Sequence, residues 1–357
     1  MKILVTGASG LIGCHAAAAL LRAGHVVTAL ARAPDRVAAA LAPLGFGPGD
    51  VDVVVGDLAT PESIRRALEG CDGLLHGAGL FSPARADAAL LERTNVDGTR
   101  AVLEAGAAAA AAGRLHRIVH VSSILALFPP PGPVQRADDP VARPRSMYAT
   151  TKARAEAIAR AIQRRAPLTI VHPAAVQGPD DPTFSIGPQN VATALRQRWT
   201  LVTEGGLAYT DVRDLAALVV AVFDERVEAA RVMAPSFFVE HEAYRRLLER
   251  LTGNAIAARR MPGWAMRWLG RMGDVAQRLG RDVQLTYEAA EVLTRSVPLD
   301  DAVARQALGR PPISAEASFG DLIRWLAAAG HISAADAGDA MSRARDEGPG
   351  SEEGGRP

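Results

Sequence analysis

Tyr148 and Lys152 are the two residues whose types and spacing could most directly move a proton. They are four positions apart, which places them on one face of a helix. A phenol has a reference pKa of about 10, but a neighbouring ammonium group favours the phenolate and lowers that pKa. A hydroxyl from Ser122 or Ser123, at the end of the strand-like run at 117–121, would hydrogen-bond the same substrate oxygen. The pattern therefore predicts an acid–base site centred on Tyr148.

A glycine-rich turn at residues 6–13 provides a second candidate site, one for phosphate. It lies between a strand-like run and a helical segment, the context in which spaced glycines hold a dinucleotide. One glycine permits the tight turn, another lets the backbone approach the pyrophosphate, and the third allows close packing of helix on strand. The helix N-terminus adds free amides and a positive dipole end. The predicted contacts come from Gly7, Ser9, Gly10, Leu11 and Ile12, with Gly13 as the packing glycine.

The residue after the second strand-like run indicates which dinucleotide binds. Sites for NAD place a carboxylate about 20 residues beyond the glycines, where it bonds the ribose 2′-hydroxyl. Here Arg32 occupies that region, and Asp35 follows only after Pro34. An arginine at this position pairs with a 2′-phosphate. We therefore predict NADP(H) as the preferred cofactor and keep NAD(H) open, since a plain surface arginine is the alternative interpretation.

The elements that must position these residues follow from the alternation of β-rich runs with longer, alanine-rich helical segments. Strands separated by such helices form right-handed crossovers and a parallel sheet. We predict an α/β fold, a Rossmann-type doubly wound parallel sheet with a smaller, mostly helical C-terminal substrate lobe. The predicted strands are Lys2–Thr6, His25–Ala31, Asp52–Val55, Gly73–His76, Arg117–Ser122 and Leu168–His172, and the predicted helices include Leu11–Ala23, Thr94–Ala112 and Arg213–Asp224.

The organisation changes beyond Pro173, where further prolines break the chain into an irregular stretch. The apolar run from Val232 to Val239 is expected to return to the main sheet. The predicted division is a dinucleotide-binding core at 1–176, with 211–239 returning to it, and a substrate lobe at 177–210 and 240–332. Residues 333–357 are predicted to be a disordered tail, because small, polar and glycine-rich segments bury too little surface to become ordered.

Charge and composition exclude several classes of function. The 40 basic and 39 acidic residues are spread along the chain, for a net charge of +1, whereas nucleic-acid binders concentrate Lys and Arg on one face. Cys14 and Cys71 provide neither a disulfide framework nor a metal-binding spacing. No apolar run approaches the roughly 20 residues that span a bilayer, and no signal-peptide core is present. We expect a reduced, cytoplasmic protein that holds no metal and binds no nucleic acid.

Together these motifs resemble the short-chain dehydrogenase/reductase superfamily, specifically its extended branch, the NAD-dependent epimerase/dehydratase family. The resemblance runs from about Met1 to Ile332 and is most specific in the first two-thirds. The matching segments are TGASGLIG at 6–13, GDL at 56–58, HGAG at 76–79, TNVDGT at 94–99, YATTK at 148–152, HPAAVQGP at 172–179 and YTDVRDLA at 209–216.

The resemblance implies a role for each matched residue. Tyr148 would be the catalytic acid/base, and Lys152 would bind the nicotinamide ribose while lowering the Tyr148 pKa. Ser123 would donate to the substrate oxygen, with Ser122 as the alternative donor. The implied cofactor contacts further include Asp57, Leu58, Gly77, Ala78, Gly79, Asn95, Ser122, Tyr148, Lys152, Pro173 and Val176. His172 and Gln177 replace the arginine and tyrosine usual in the family, which is expected to reshape the pocket near the nicotinamide.

Within the family, the chain resembles the dihydroflavonol reductase and 3β-hydroxysteroid dehydrogenase group. Arg32 stands where nucleotide-sugar epimerases carry an acid, and Ser123 is followed by the apolar run 124–128 instead of the Asp-Glu pair of sugar dehydratases. Packing is an equally good interpretation of that run. We predict an oxidoreductase that interconverts a carbonyl and a secondary alcohol on a small, apolar substrate. The alternatives are a sugar-nucleotide epimerase or dehydratase and a non-catalytic dinucleotide sensor. Members of the family often form homodimers.

A segment in the C-terminal part carries Trp264, Met266, Trp268, Leu269 and Met272 at helical spacing, with arginines on the other side. Such a face is most often the core of a small lobe. A cap over a lipophilic pocket and contact with a membrane surface are the alternatives.

Overall fold

A parallel seven-stranded sheet forms the centre of the molecule in a computed structural model, which describes residues 1–82, 87–279, 283 and 285–342. The strands are β1 (Lys2–Thr6), β2 (Val26–Ala31), β3 (Val51–Val55), β4 (Gly73–His76), β5 (Arg117–Val121), β6 (Leu168–His172), β7 (Ala175–Gln177), β8 (Trp199–Val202), β9 (Gly206–Asp211), β10 (Arg231–Met233), β11 (Phe237–Glu240) and β12 (Ala257–Arg260). The order in the central sheet is β10-β6-β5-β4-β1-β2-β3. The first six strands were all predicted, within one residue at each end.

The strand order creates a crevice between β1 and β4. The chain builds outward from β1 through β2 to β3 and then crosses back to place β4 on the other side of β1. Doubly wound sheets bind their ligands at such a reversal, beyond the carboxyl ends of the strands. The predicted Rossmann-type sheet is therefore confirmed, and its topology locates the ligand-binding edge.

Helices cover both faces of this sheet and also build the C-terminal part. They are α1 (Leu11–Arg22), α2 (Pro34–Leu41), α3 (Pro61–Leu68), α4 (Ala88–Leu91), α5 (Thr99–Ala111), α6 (Met147–Gln163), α7 (Ile186–Gln197), α8 (Val212–Phe223), α9 (His241–Thr252), α10 (Gly263–Arg278), α11 (Tyr287–Arg295), α12 (Ala302–Leu308), α13 (Ala315–Ala328) and α14 (Ala334–Ala337). A π-helical turn, Glu92–Gly98, leads into α5, and 3₁₀ turns span Ala42–Leu44, Ile124–Leu127 and Gly338–Met341.

Strand β1 shows why the apolar runs are continuous. Ile3 and Val5 pack with α1 and α8 on one face of the sheet, while Leu4 packs with α3, α5 and α6 on the other. Successive side chains of a strand point to opposite faces, and both faces of a parallel sheet are covered. All three side chains are fully buried as a result.

The C-terminal part adds a second apolar cluster and two small sheets. Strand β9 pairs with β7 in parallel and with β11 in antiparallel orientation, and β8 pairs with β12 in parallel. The cluster gathers side chains of α7, α9 and α13 around the fully buried Phe319. The assignment of a dinucleotide core and a substrate lobe stays a prediction. Among the described residues, no helix combines the length and apolar character needed to cross a membrane.

Two predictions for this half are corrected. The run 232–239 does not return to the main sheet as one strand, because only β10 joins β6, whereas β11 pairs with β9. Residues 333–342, the start of the predicted tail, form α14 and a 3₁₀ turn. Ser333 caps α14 in a reciprocal arrangement with Asp336, and Ala337 and Ala340 are buried in the second cluster. The rest of the predicted tail, 343–357, lies outside the described residues.

The orientation of α10 corrects a third prediction. Trp264 and Trp268 are 70% and 57% exposed, whereas Gly270 and Gly273 face the protein. The Trp/Met face is therefore not the core of a lobe, although Met266 on the inward side is buried.

Candidate active site

The glycine loop at the end of β1 has the geometry of a phosphate cradle. Gly7 has φ +84°, and a Cβ at this position would lie 2.8 Å from the backbone nitrogen of Ala78. A Cβ on Gly13 would lie 2.1 Å from the Gly7 oxygen, so Gly13 permits the close packing of α1 on the loop. Gly7 therefore makes the tight turn, and Gly13 makes the close contact.

Gly10 occupies the third position, the one predicted to lie against the pyrophosphate. A Cβ here would meet nothing closer than the Gly7 oxygen at 3.6 Å, so the protein itself does not require a glycine. Gly10 is the N-cap of α1 and brings no capping side chain, which leaves the first amides of α1 to an outside acceptor. Ser9 and Ile12 are half-buried beside it, and Leu11 is buried. These residues fit a dinucleotide pyrophosphate.

The residues predicted to contact the adenosine half lie along the same edge of the sheet. Arg32 directly follows β2 and is exposed, and no other described residue is a hydrogen-bond partner of its guanidinium. Asp57 follows β3, half-buried, and its Oδ1 accepts from the Ala59 nitrogen at 2.9 Å. Leu58 lies next to it and packs close to Gly98. Strands β2 and β3 are neighbours in the sheet. Asp57 and Leu58, which follow β3, therefore lie on the same edge as Arg32, which follows β2.

The loop after β4 is built against the glycine loop. The Gly77 nitrogen donates to the Thr6 oxygen at 3.2 Å, and the Ala78 nitrogen donates to Thr6 Oγ1 at 3.3 Å. Gly79 is exposed at the rim. The two loops therefore form one continuous surface at the reversal point of the sheet.

Asn95 occupies a structural position. Its Oδ1 accepts from the Leu80 nitrogen at 2.8 Å, and its Nδ2 donates to the Leu80 oxygen at 2.9 Å and to Thr151 Oγ1 at 3.0 Å. The side chain is buried and bridges the post-β4 loop to helix α6. The structure thus gives Asn95 a bridging role, and its predicted contact with the cofactor stays a prediction.

Helix α6 carries Tyr148 and Lys152 toward this rim. Ser146 caps the helix by accepting from the Ala149 nitrogen at 3.2 Å. Tyr148 lies in the first turn, half-buried, with Phe81 packed edge-on against its ring at 4.8 Å between centroids. Burial raises the pKa of Tyr148 to about 12. The sequence led us to expect a lowered Tyr148 pKa, whereas desolvation of the phenolate raises it here.

Lys152 is buried one turn further along. Its Nζ donates to the Val121 carbonyl oxygen at 3.3 Å, which anchors it at the end of β5. Burial lowers the pKa of Lys152 to about 8, and the carboxylate of Glu156 opposes that shift. Near neutral pH Lys152 is therefore largely cationic, which is the form that favours a phenolate beside it.

The two serines at the end of β5 have different partners. Ser122 is buried and its Oγ donates to Glu156 Oε2 at 2.7 Å. Ser123 is half-buried and its Oγ accepts from the Leu125 nitrogen at 3.2 Å, which leaves its hydroxyl proton for another acceptor. Ser123 is therefore the better candidate of the two for donating to a substrate oxygen.

Glu156 is a residue of this site that the sequence motifs did not single out. It is fully buried and meets Ser122, Arg160 at 2.7 Å and His172, whose Nε2 lies 3.1 Å from Glu156 Oε1. Burial alone would raise its pKa, but the contacts with His172, Ser122 and Arg160 hold the pKa of Glu156 well below its usual range. Its spacing from Lys152, four positions along α6, was the available signal.

Two further histidines lie buried beneath the rim. His76 Nδ1 is 2.8 Å from Thr6 Oγ1 and its Nε2 is 2.9 Å from Thr99 Oγ1, and the ring stacks on His120 with centroids 5.3 Å apart. Burial lowers the pKa of His76 to about 3, and burial with the nearby His76 and Lys152 lowers the pKa of His120 well below its usual value. Both imidazole rings are therefore neutral near neutral pH, so neither adds a positive charge beside Lys152.

The segment after β6 completes the rim. The oxygen of Pro173, which is buried, accepts from the Ile124 nitrogen at 3.1 Å, and Val176 is half-buried in β7. Gln177, one of the two departures from the family pattern, is buried with Nε2 at 3.4 Å from Ser318 Oγ. Gln177 thus contacts α13, whereas His172 contacts Glu156.

The apolar run after Ser123 is mostly packing. Ile124, Ala126 and Leu127 belong to a buried cluster with Leu299, and Phe128 is also buried. Only Leu125 remains half-buried. The run therefore gives little support to an apolar substrate, and Phe81 beside Tyr148 is the clearer apolar group at the site.

No cluster of metal-ligating side chains exists among the residues that the structure describes. The arrangement of a cationic lysine, a neutral phenol and a serine hydroxyl around one rim can transfer a proton to or from a bound oxygen.

The sequence is similar to those of several known proteins. A family model described as the NAD dependent epimerase/dehydratase family matches residues 3–233. "Sterol demethylase protein B" of Methylococcus capsulatus is 30% identical, over 93% of this chain and 100% of that protein. A "Putative dihydroflavonol 4-reductase" of Synechocystis is 29% identical, over 92% of this chain and 95% of that protein. A "4-hydroxy-2-methyl-3-oxo-4-farnesyl-3,4-dihydroquinoline-1-oxide ketoreductase" of Stigmatella aurantiaca is 31% identical, over 87% of this chain and 91% of that protein.

Proposed function

Because this chain belongs to the NAD dependent epimerase/dehydratase family, we propose that it is an NADP(H)-preferring oxidoreductase that interconverts a carbonyl and a secondary alcohol on a lipophilic substrate. The observation that carries the proposal is the bond from Lys152 Nζ to the Val121 oxygen at the end of β5, which brings the helix of Tyr148 to the strand end that Ser123 follows. The extended short-chain dehydrogenase/reductase resemblance is confirmed by the family match and by the reductases among the relatives.

The proposed proton transfer follows from the charge states of the site. Bound nicotinamide supplies or accepts the hydride at the substrate carbon. In the reducing direction the raised pKa of Tyr148, about 12, keeps the phenol protonated and ready to donate to the substrate oxygen. Ser123 donates a hydrogen bond to the same oxygen, and the Lys152 ammonium stabilises the phenolate left on Tyr148. The phenolate regains a proton from solvent, so that one hydride and one proton are consumed for each alcohol formed.

The preference for NADP(H) rests on Arg32. Its exposed guanidinium directly follows β2, where a 2′-phosphate would be held, and it has no carboxylate partner among the described residues. A guanidinium forms bidentate bonds with a phosphate. Binding of NAD(H) is the alternative in this site.

The lipophilic substrate class has two supports. The names of two relatives refer to a sterol and to a farnesylated quinoline. Phe81 packs against the Tyr148 ring and is 47% exposed, so an apolar surface lies next to the proton donor. Burying such a surface against a substrate favours apolar ligands.

The test is NADPH oxidation by the purified protein with apolar ketones, compared with the Tyr148→Phe variant. We expect Tyr148→Phe to lose activity by about 100- to 10,000-fold, the usual contribution of a positioned acid, while still binding NADPH. Tyr244→Phe, which removes a phenol hydroxyl from the C-terminal cluster, is the matched control and should keep full activity.

Three results would overturn the proposal. Full activity of Tyr148→Phe would remove the acid/base role. Epimerisation or dehydration of a nucleotide sugar without net consumption of NADPH would show the sugar-nucleotide alternative. Tight NADPH binding without turnover on ketones, aldehydes and sterols would indicate a dinucleotide sensor.

A further inference from the structure

Helix α10 presents its large apolar side chains to solvent and its small residues to the protein. Trp264, Trp268 and Met272 are exposed, and the adjoining Leu279 is 75% exposed. The inward face instead carries glycines. A Cβ on Gly270 would lie 2.6 Å from the Thr286 oxygen, and one on Gly273 would lie 1.9 Å from the Leu285 oxygen. Because only glycine fits this contact, the helix cannot rotate to bury its tryptophans there.

The exposed apolar side chains form one continuous strip, which we call the α10 stripe. It consists of Trp264, Trp268, Met272, Val275 and Leu279. At about 100° of rotation per residue these five positions fall within roughly a quarter of the helix circumference. The stripe is about 22 Å long at 1.5 Å of rise per residue. Contiguous exposed apolar surface of this kind marks an interaction site.

Two arginines border the stripe along one side. Arg271 is exposed, with its guanidinium 5.0 Å from the centroid of the Tyr287 ring. Arg267 is half-buried and its Nη1 donates to Thr294 Oγ1 at 3.0 Å. The two arginines, the two tryptophans and Tyr287 surround a shallow surface depression of about 250 Å³. Aromatic and basic side chains thus share one edge of the molecule.

In its sequence, helix α10 carries a net positive charge. In the sequence of α10 there are three arginines and a single acid, Asp274, whose Oδ1 accepts from the Tyr287 nitrogen at 3.2 Å. Glu204 lies near the start of the helix, where its Oε2 accepts from the Gly263 nitrogen at 2.8 Å. The stripe itself carries no charged residue, so its apolar surface and its basic border are separate and adjacent.

We propose that the α10 stripe docks onto the surface of an anionic lipid bilayer. Tryptophan favours the interface between water and hydrocarbon, and arginine keeps its guanidinium at the headgroups while its stem lies along apolar surface. A helix with an apolar face and a basic border binds anionic bilayers in the plane of the interface. Tryptophan, methionine and arginine are also enriched at protein interfaces, so binding of a second protein is a separate outcome of the test below.

The proposal rests on the proposed function, since lipophilic substrates partition into bilayers. The docked surface is also connected to the catalytic helix by packing. Helix α10 packs on α11, and Glu288 of α11 accepts from the backbone of Ser146 at the N-terminus of the helix that carries Tyr148. The docked surface and the catalytic helix are therefore linked through a single intervening helix.

The test is co-sedimentation of the full chain with vesicles of phosphatidylcholine alone and of phosphatidylcholine mixed with phosphatidylglycerol. We expect binding to the mixed vesicles, with a blue shift of tryptophan emission. The double variant Trp264→Ser/Trp268→Ser should bind about tenfold or more weakly, and Arg271→Gln should reduce binding to the anionic vesicles only, in a salt-dependent way. The control Ile186→Ser/Val303→Ser changes exposed apolar residues elsewhere and should bind like the wild type.

Each remaining outcome overturns the docking proposal. Equal binding by the wild type and the tryptophan variant would place the lipid contact elsewhere. No vesicle binding, with a dimer that the tryptophan variant dissociates, would assign the stripe to a second copy of the chain. No binding by a monomer would leave the stripe without a lipid role. Reduction of a water-soluble ketone, measured in parallel, separates this result from the proposed function, because activity without vesicle binding overturns the docking alone.

Discussion

Glu288 accepts two hydrogen bonds from Ser146 and one from Arg145 at the start of α6, although Glu288 and Ser146 are 142 positions apart. Glu288 Oε2 accepts hydrogen bonds from the Ser146 nitrogen at 2.7 Å and from the Arg145 nitrogen at 2.6 Å. Its Oε1 accepts a hydrogen bond from the Ser146 hydroxyl. A carboxylate that satisfies the free amides of a helix N-terminus fixes where the helix starts. Since Tyr148 lies in the first turn of that helix, Glu288 is a positioning residue for the acid.

Replacing Glu288 with alanine should therefore lower kcat more than it weakens NADPH binding. An unpaired buried donor costs about 1–3 kcal/mol, and displacement of a catalytic group costs about tenfold or more in rate. The measurements are steady-state kinetics and NADPH titration. Glu291→Gln, on the same helix but paired with Arg295, is the control. A loss of cofactor affinity with unchanged kcat would argue against this role of Glu288.

The carboxylate of Glu156 should set the alkaline limit of activity. It raises the pKa of Lys152, which burial has lowered to about 8. Removing the charge in Glu156→Gln takes away the opposing effect, so the Lys152 pKa falls further and the ammonium is lost at a lower pH. We expect the alkaline limb of the kcat/KM profile to move down by roughly one pH unit.

The matched control for that change is Arg160→Gln, which removes a partner of Glu156 while the carboxylate stays. Its alkaline limb should stay near that of the wild type. Superimposable profiles for the wild type and Glu156→Gln would show that Lys152 does not control this limb. Thermal unfolding of both variants identifies any general loss of stability.

Gly10→Ala should separate cofactor binding from folding. Its Cβ would meet only the Gly7 oxygen at 3.6 Å, and Gly10 has φ −109°, which alanine adopts. The thermal midpoint should move by no more than a few degrees, about the effect of 1 kcal/mol, while the Kd for NADPH rises by about tenfold because the methyl group occupies the path of the pyrophosphate.

Gly49→Ala is the control for the same chemical change, since it lies in open space away from the loop. It should leave both quantities unchanged. Gly7→Ala should in contrast destabilise the fold, because its φ is +84° and its Cβ would collide with the Ala78 backbone. Wild-type NADPH affinity in Gly10→Ala would show that the pyrophosphate lies elsewhere.

Arg32→Ser should reverse the choice of cofactor. Loss of a guanidinium that pairs with the 2′-phosphate should weaken NADPH by about tenfold or more, and NADH, which lacks that phosphate, should bind almost as before. Isothermal titration or thermal shift with both cofactors measures the ratio. An equal change for the two cofactors would make Arg32 a surface residue without a role in selection.

The parts of the fold that sequence predicted best are those with local causes. Strand β1, the glycine loop and α1 follow one another within 22 residues, and their pattern of burial and glycine spacing is complete in that stretch. The parallel sheet followed from the alternation of such units. The predicted helix Thr94–Ala112 overlapped the π-helical turn Glu92–Gly98 from Thr94 onward, because a single π turn is too short a segment to separate from an α-helix by its pattern.

The parts that sequence did not predict depend on contacts between distant elements. Glu288 meets Ser146 only because α11 folds back over the start of α6. The raised pKa of Tyr148 depends on how deeply Phe81 and its neighbours bury the ring. The direction of α10 was missed because a periodic apolar face does not say which side meets the protein. Gly270 and Gly273 indicate the side of α10 that packs on the protein, because small residues lie where a helix comes closest to its neighbour.

The contact between Gly7 and Ala78 makes the shape of the glycine loop depend on the folding of the central sheet. The glycine loop lies near the start of the sequence. Its shape is nevertheless complete only when β4 has paired with β1 and placed Ala78 against it. Domains generally fold as units. The phosphate loop therefore reaches its final shape only with the paired sheet, and a dinucleotide that binds the finished loop stabilises the whole sheet on which the Tyr148 helix packs.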